Sequence, residues 1–303
     1  MKKLLALLMA AAMIFAMAAC GSEAASSAPS AEPAASAEPA APAEDAAPEA
    51  SEEAAPAEDG ATTFTVGFDA EYPPYGYMND AGEYTGFDLE LAQEVCDRNG
   101  WELVKQPIDW DAKDMELNSG TIDCIWNGFT ITGREDEYTW SVPYVDNSIV
   151  FVVMNDSDIQ TAADLAGKIV VTQADSSALT ALTSEEDNDE NLALAASFAE
   201  LQQVADYNTA FLNLESGVVD CIAVDIGVAQ YQLTSRGDTF RMLEEPLSTE
   251  QYAIGFKKGN EALRDTVQAT LFEMYQDGTF DKIAANYADF NLPDMICLGN
   301  YVE

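Results

Sequence analysis

The chain has 303 residues, a net charge of −41 and no histidine. Without histidine there are no His-ligated metal sites, no histidine general bases and no Ser-His-Asp triad. The acidity argues against nucleic acid or an anionic membrane surface as a partner. Met1-Lys2-Lys3 opens the chain and a charge-free apolar run from Leu4 to Ala19 follows. A membrane-spanning helix needs about 20 such residues, so this shorter run reads as a secretory signal peptide, residues 1–20. Residues 21–60 are almost all Ala, Pro, Glu and Ser, with no Lys, Arg or aromatic residue. Such a segment buries too little apolar surface to offset its chain entropy, and the composition predicts a disordered tether.

Met17-Ala18-Ala19-Cys20 resembles a bacterial lipobox, with Met17 where Leu is usual. It implies lipidation at Cys20 and a lipid anchor on the cell membrane.

The body, residues 61–303, is long enough for two lobes. Thr63 to Phe68 predicts a strand, residues 69–75 with Pro73-Pro74 a loop, and Asn79 to Gly82 a turn. Phe87, Leu91 and Val95 give helical spacing over 87–98, stopped at Asn99-Gly100. Trp101 to Pro107 predicts a strand, and 109–117 a helix capped by Asp109. Ser148 to Met154 is a strongly apolar run. Residues 162–166 predict a short helix, 168–172 a strand, and 176–182 a helix with Asp175, Ser176 or Ser177 as its cap. The acidic stretch 184–191 reads as a surface insertion. Strands are expected at 201–204 and 251–257, and closing helices at 263–275 and 279–287.

Two stretches nearly repeat: Leu117-Asn118-Ser119-Gly120-Thr121-Ile122-Asp123-Cys124-Ile125 and Leu214-Glu215-Ser216-Gly217-Val218-Val219-Asp220-Cys221-Ile222. Each is a helix tail, a Ser-Gly stop and a buried strand. The first strand leads to a loop with hydroxyls and a cation, Asn127 to Arg134, and the second to an anion, Asp225. Open α/β sheets bind ligands at the carboxyl ends of their strands, so the repeat predicts a zwitterion held between two similar units. Apolar crossings near 148–154 and 250–256 bracket the second unit. The expected division is lobe 1 at 61–147 and 255–303, and lobe 2 at 148–254 including the crossings, with hinge motion about a cleft. Cys96, Cys124, Cys221 and Cys297 show no CxxC spacing. Free buried thiols are expected for Cys124 and Cys221, while a Cys96–Cys297 bond stays open.

Val66-Gly67-Phe68-Asp69-Ala70-Glu71-Tyr72-Pro73-Pro74-Tyr75, Gly86-Phe87-Asp88, Asp109-Trp110-Asp111, Asn127 to Arg134, Pro143-Tyr144 and Val224-Asp225 together resemble the bacterial solute-binding proteins of family 3, receptors of ABC importers for polar amino acids. The resemblance covers essentially all of 61–290. It implies a periplasmic-binding-protein-like α/β fold of two lobes joined by two hinge strands, no catalysis, no cofactor and no metal. The expected protein is a monomer, outside the cytoplasm, that passes an amino acid to an ABC permease. By the same resemblance, Arg134 takes the ligand α-carboxylate with Thr130 and the Gly128 backbone beside it. Asn127 lies in the same loop. Asp225 holds the α-ammonium, Ser176 and Ser177 are donors from lobe 2, Tyr72 and Trp110 wall the side chain, and Asp69 reads its tip. Only Gly133 separates Thr132 from Arg134, one residue fewer than the family usually has, so Arg134 reaches the site by a different loop path. A surface ion pair with Glu135 or Asp136 competes with this role for Arg134, and a helix N-cap competes for Asp225. Asp175, where the family often has Gly, is expected to face solvent or cap its helix. Acids at the tip disfavour aspartate and glutamate and leave a neutral polar or cationic L-amino acid. The alternatives are a same-fold enzyme, cyclohexadienyl-dehydratase-like, or a sensor for a signalling partner.

Overall fold

The computed structural model describes residues 62–185 and 189–302. The signal segment, Cys20, the tether and part of the acidic stretch lie outside the described residues. One sheet runs in the order Glu102–Pro107, Thr63–Phe68, Cys124–Ile125, Gly255–Phe256, Thr139–Trp140. The first three are parallel and the last two join antiparallel. The second sheet runs Glu200–Val204, Ile169–Gln173, Cys221–Asp225, Val145–Met154, Phe240–Met242, and Ser248–Tyr252 also pairs with Val145–Met154. Along Val145–Met154 alternate residues serve opposite cores: Ile149, Phe151 and Val153 pack with Ala178 and Leu182, while Val150 and Val152 face Tyr207 and Phe211. With both faces covered, the central strands read as unbroken apolar runs rather than as alternation.

The repeated stretches build the same device twice. Helices Lys113–Ser119 and Tyr207–Glu215 are followed by Gly120 at φ 81° and Gly217 at φ 72°, the left-handed turn that glycine permits. Asp123 then closes on the neighbouring parallel strand: its carboxylate accepts from the Thr65 N–H at 2.7 Å and its own N–H donates to the Thr65 carbonyl at 2.8 Å. Asp220 does the same to Ile169, at 2.8 and 2.9 Å. A hydrogen bond to a charged group contributes about 1.5–3 kcal/mol, so Asp123→Ala and Asp220→Ala are each expected to lower stability by about that amount in urea titrations. An unchanged midpoint in both would show that the closure contributes nothing.

The crossings differ in detail from expectation. The outgoing strand begins at Val145, and the return is two strands rather than one continuous 251–257. Ser248–Tyr252 pairs antiparallel with the outgoing strand, Val145 opposite Tyr252 through Ile149 opposite Ser248. At Ala253-Ile254 the chain changes partners: Ala253 N–H donates to the Phe129 carbonyl at 2.9 Å, and Ile254 N–H to the Ser141 hydroxyl at 2.9 Å. The expected 109–117 helix is a 3-10 turn at Trp110–Ala112 leading into the Lys113–Ser119 helix, and Asp109 makes no side-chain cap. Helix Asp189–Ser197 begins inside the stretch read as an insertion. Cys96, Cys124, Cys221 and Cys297 are free and buried, and burial pushes the Cys96 and Cys297 thiols up to about 12. Among the described residues no helix is long and apolar enough to cross a membrane.

Candidate functional site

Strand ends from both sheets meet around a cavity of about 10 Å³, lined by Tyr72, Trp110, Asn127, Gly128, Thr130, Arg134, Gln173, Ser176, Ser177 and Asp225. That is room for about one water and too little for any larger solute. Tyr72 follows the strand Thr63–Phe68, the loop 127–134 follows Cys124–Ile125, Gln173 ends Ile169–Gln173, and Asp225 ends Cys221–Asp225.

Arg134 is the positive pole. It is 9% exposed. Its guanidinium donates to the Asp175 carbonyl at 3.0 Å and to the Thr130 carbonyl at 3.5 Å, and lies 5.4 Å from the Phe129 ring centroid. Among the described residues it makes no ion pair, so the surface pairing with Glu135 or Asp136 is not formed. The short loop reaches the cavity by a turn at Gly133, φ 79°, closed by the Arg134 N–H on the Ile131 carbonyl at 2.8 Å. A buried guanidinium without a counter-ion is costly, and an incoming carboxylate removes that cost.

Asp225 is the negative pole, 2% exposed. It stands at a helix N-cap position but makes no side-chain cap bond. Its carboxylate instead accepts from the Tyr252 hydroxyl at 2.6 Å and the Asn147 amide at 2.8 Å. Burial pushes its pKa up. The same Asn147 amide donates at 2.8 Å to Glu250, whose Oε1 also accepts from the Thr130 hydroxyl at 2.6 Å and the Ser177 hydroxyl at 3.0 Å. Burial, and then the Asp225 charge, raise Glu250 to about 7. Neither carboxylate has a cation within ion-pair distance among the described residues.

Several expected residues have altered tasks. The Gly128 N–H donates at 2.7 Å to Asp88, a buried carboxylate raised by burial to about 7, so Gly128 can offer a ligand only its carbonyl. A Cβ at Gly128 would lie 2.9 Å from the Tyr72 ring, which is why the loop needs glycine there. Asn127 accepts from the Asp69 N–H at 3.1 Å, and its own amide nitrogen is buried without a partner. Ser176 caps its helix, accepting from the Leu179 N–H at 3.1 Å and donating to the Gln173 carbonyl at 2.8 Å.

Asp175 is half exposed, as expected, but it makes no cap, and Ser176 takes that place. Held at φ 56°, it spans the cleft: its carboxylate pairs with Lys113, which is 1% exposed, and its carbonyl accepts from Trp110 Nε1 at 3.2 Å and from Arg134. Asp69 does not line the cavity. Gln173 stands between, donating to Asp69 at 2.6 Å, and burial raises Asp69 to about 6. Beyond lies a groove of about 590 Å³ lined by Asp69, Glu71, Asp109, Trp110, Asp111, Glu116 and Asp206, without a Lys or Arg.

Residues 64–290 match the family model of the bacterial extracellular solute-binding proteins, family 3. The chain belongs to that family. This solute-binding protein is 30% identical over 228 residues to the L-cystine-binding protein TcyJ of Escherichia coli (strain K12), covering 74% of this chain and 82% of that protein. Its fold is similar to that of an ABC uptake transporter substrate binding protein from Streptococcus pneumoniae with bound histidine, with a TM-score of 0.70 and 33% identity over 74% of this chain and 92% of the other. Against Tv2483 bound to L-arginine the TM-score is 0.71, with 27% identity over 78% and 93%. The solute-binding protein has two α/β lobes, as these likenesses require.

Sequence reasoning missed Gln173, Lys113, Asn147 and Glu250 in this solute-binding protein. Asn147 and Glu250 had a usable signal: both are polar residues within or beside the apolar crossings, and they face each other in the ladder. Gln173 and Lys113 had none, since Asp69 and Asp175, the carboxylates that they meet, are far away in sequence.

Proposed function

We propose that this protein is the receptor of an ABC importer and captures a polar α-amino acid as its zwitterion. The observation that carries this reading is the pair of buried charges across one cavity, Arg134 on one side and Asp225 on the other, neither in an ion pair among the described residues. Arg134 takes the α-carboxylate and Asp225 the α-ammonium. Tyr72 and Trp110 flank the side chain, and the acidic groove beyond Gln173 favours a cationic or neutral tip over an anionic one. The relatives named for cystine, histidine and arginine support an amino acid as ligand. Asp225 acts here as a charge partner, with no chemical step.

A thermal-shift screen tests this. A ligand at 100 times its Kd stabilises a folded receptor by about 2.7 kcal/mol. L-arginine, L-lysine, L-histidine, L-glutamine or L-cystine is expected to raise the midpoint while L-aspartate and L-glutamate do not. A shift with the two acidic amino acids alone would reverse the side-chain reading, and none with any would remove the receptor reading.

The Cys20 thiol is the proposed lipid attachment, with residues 21–60 as tether to a monomeric body that docks on a membrane permease once closed. Cys20→Ser is expected to release the protein into the soluble fraction. Continued membrane retention would point to another anchor.

A further inference from the structure

Glu250 occupies an unusual place. It lies on the return strand directly opposite Asn147 in the ladder between the lobes. One of its oxygens, Oε1, collects three bonds, from Thr130 at 2.6 Å, Asn147 at 2.8 Å and Ser177 at 3.0 Å. Thr130 belongs to the first sheet's loop and Ser177 to the second lobe's helix, and both also line the ligand cavity. A hydroxyl has one proton to give. While both hydroxyls give theirs to Glu250, each turns only lone pairs toward the cavity. A carboxylate arriving at Arg134 then meets two acceptors where it needs donors, with the Glu250 carboxylate behind them.

We propose that Glu250 sets the direction in which Thr130 and Ser177 donate, and that it takes up a proton from solvent when an amino-acid carboxylate occupies the site. The inference rests on the receptor reading above. Once protonated, Glu250 no longer holds both hydroxyl protons as an anion does, and Thr130 and Ser177 can turn theirs to the ligand. The ligand keeps its own charges: its carboxylate stays ionised on Arg134 and its ammonium on Asp225. The proton has a route that avoids the ligand, because Glu250 also lines two outer grooves of about 690 and 320 Å³.

The fixed groups that face Glu250 are mostly anionic and favour uptake, against the ligand ammonium, which neutralises Asp225 and favours release. Asp225 stands on the strand end beside it, with Tyr252 on its own strand and Tyr75 and Tyr207 behind the cavity. Asp146 and Asp294 border one outer groove and Glu135 the other. Arg134, the cation of the cavity, is directed at Asp175 and gains a carboxylate when the ligand binds. Held near 7, Glu250 is within reach of protonation at neutral pH.

Titration calorimetry of the full-length protein with L-arginine, L-glutamine and L-cystine, near neutral pH in two buffers of different ionisation enthalpy, counts the protons. The wild type is expected to take up a proton, about one or less per ligand, and its affinity to fall by up to about tenfold per pH unit above neutrality. Glu250→Gln is expected to bind with no uptake and a flat profile. Infrared difference spectra of the wild type provide a second measure, independent of the variant's folding: a protonated-carboxyl band should appear on binding. Equal uptake in Glu250→Gln, release or no exchange in the wild type, or no new band would overturn the proposal. Binding of none of the three amino acids would overturn the receptor reading, and the Glu250 role with it.

Discussion

Arg134→Ala is expected to weaken amino-acid binding by about 100-fold or more, close to 3 kcal/mol, which is the range for one or two charged hydrogen bonds. The same substitution should leave the unfolding midpoint of the ligand-free protein unchanged or higher. The two expectations come from one observation: Arg134 is buried with carbonyls and a ring but, among the described residues, no carboxylate partner, so its charge is a cost to the fold until a ligand anion arrives. Calorimetry and thermal unfolding on one preparation separate the two readouts. If affinity holds, the carboxylate sits elsewhere and the zwitterion model falls. If stability drops by several kcal/mol with affinity intact, Arg134 is a structural bridge to Asp175.

Asp225→Asn is expected to cost at least about 100-fold in affinity, because the ammonium loses its buried counter-charge. It should also change how stability varies with pH. Glu250 is raised from its ordinary 4.5 to about 7, by burial and then by Asp225, and Asp225 is itself raised by burial. For carboxyls raised in the folded state, the favourable contribution is fully present below the unfolded value. It is lost as pH climbs through the folded one. The ligand-free wild type should therefore lose stability from this pair between the ordinary carboxylate range and neutrality. Asp225→Asn removes one of the two charges and should flatten that loss, seen as a smaller difference between urea midpoints at about pH 5 and about pH 8. An unchanged slope would mean that the two acids do not act on each other.

Much of this was legible in the sequence because it is written locally. The helix 87–99 carries its own spacing and its Gly100 stop, and Asp225 follows directly from its strand. The loop 127–134 announces itself by its polar residues and glycines, although Phe129 within it packs in a core cluster. What escaped depends on long-range partners. Asp175 reads as a cap in its own lobe, and only the approach of Trp110, Lys113 and Arg134 from the other gives it its task. Glu250 is one acid among many until the ladder sets it against Asn147. Gln173 looks like an ordinary strand end, although it takes the place beside the cavity that the family resemblance assigned to Asp69. The return strand broke where backbone groups changed partners, an event that hydropathy does not register.

The ladder between the crossings also limits how the molecule can move. Its register, from Val145 opposite Tyr252 to Ile149 opposite Ser248, stops either lobe from sliding along the strands without breaking every rung at once. Bending at Ala253-Ile254, where the ladder ends, leaves those rungs paired and strains only the bonds to Phe129 and Ser141. A hinge between the lobes would therefore bend at that point rather than slide along the ladder.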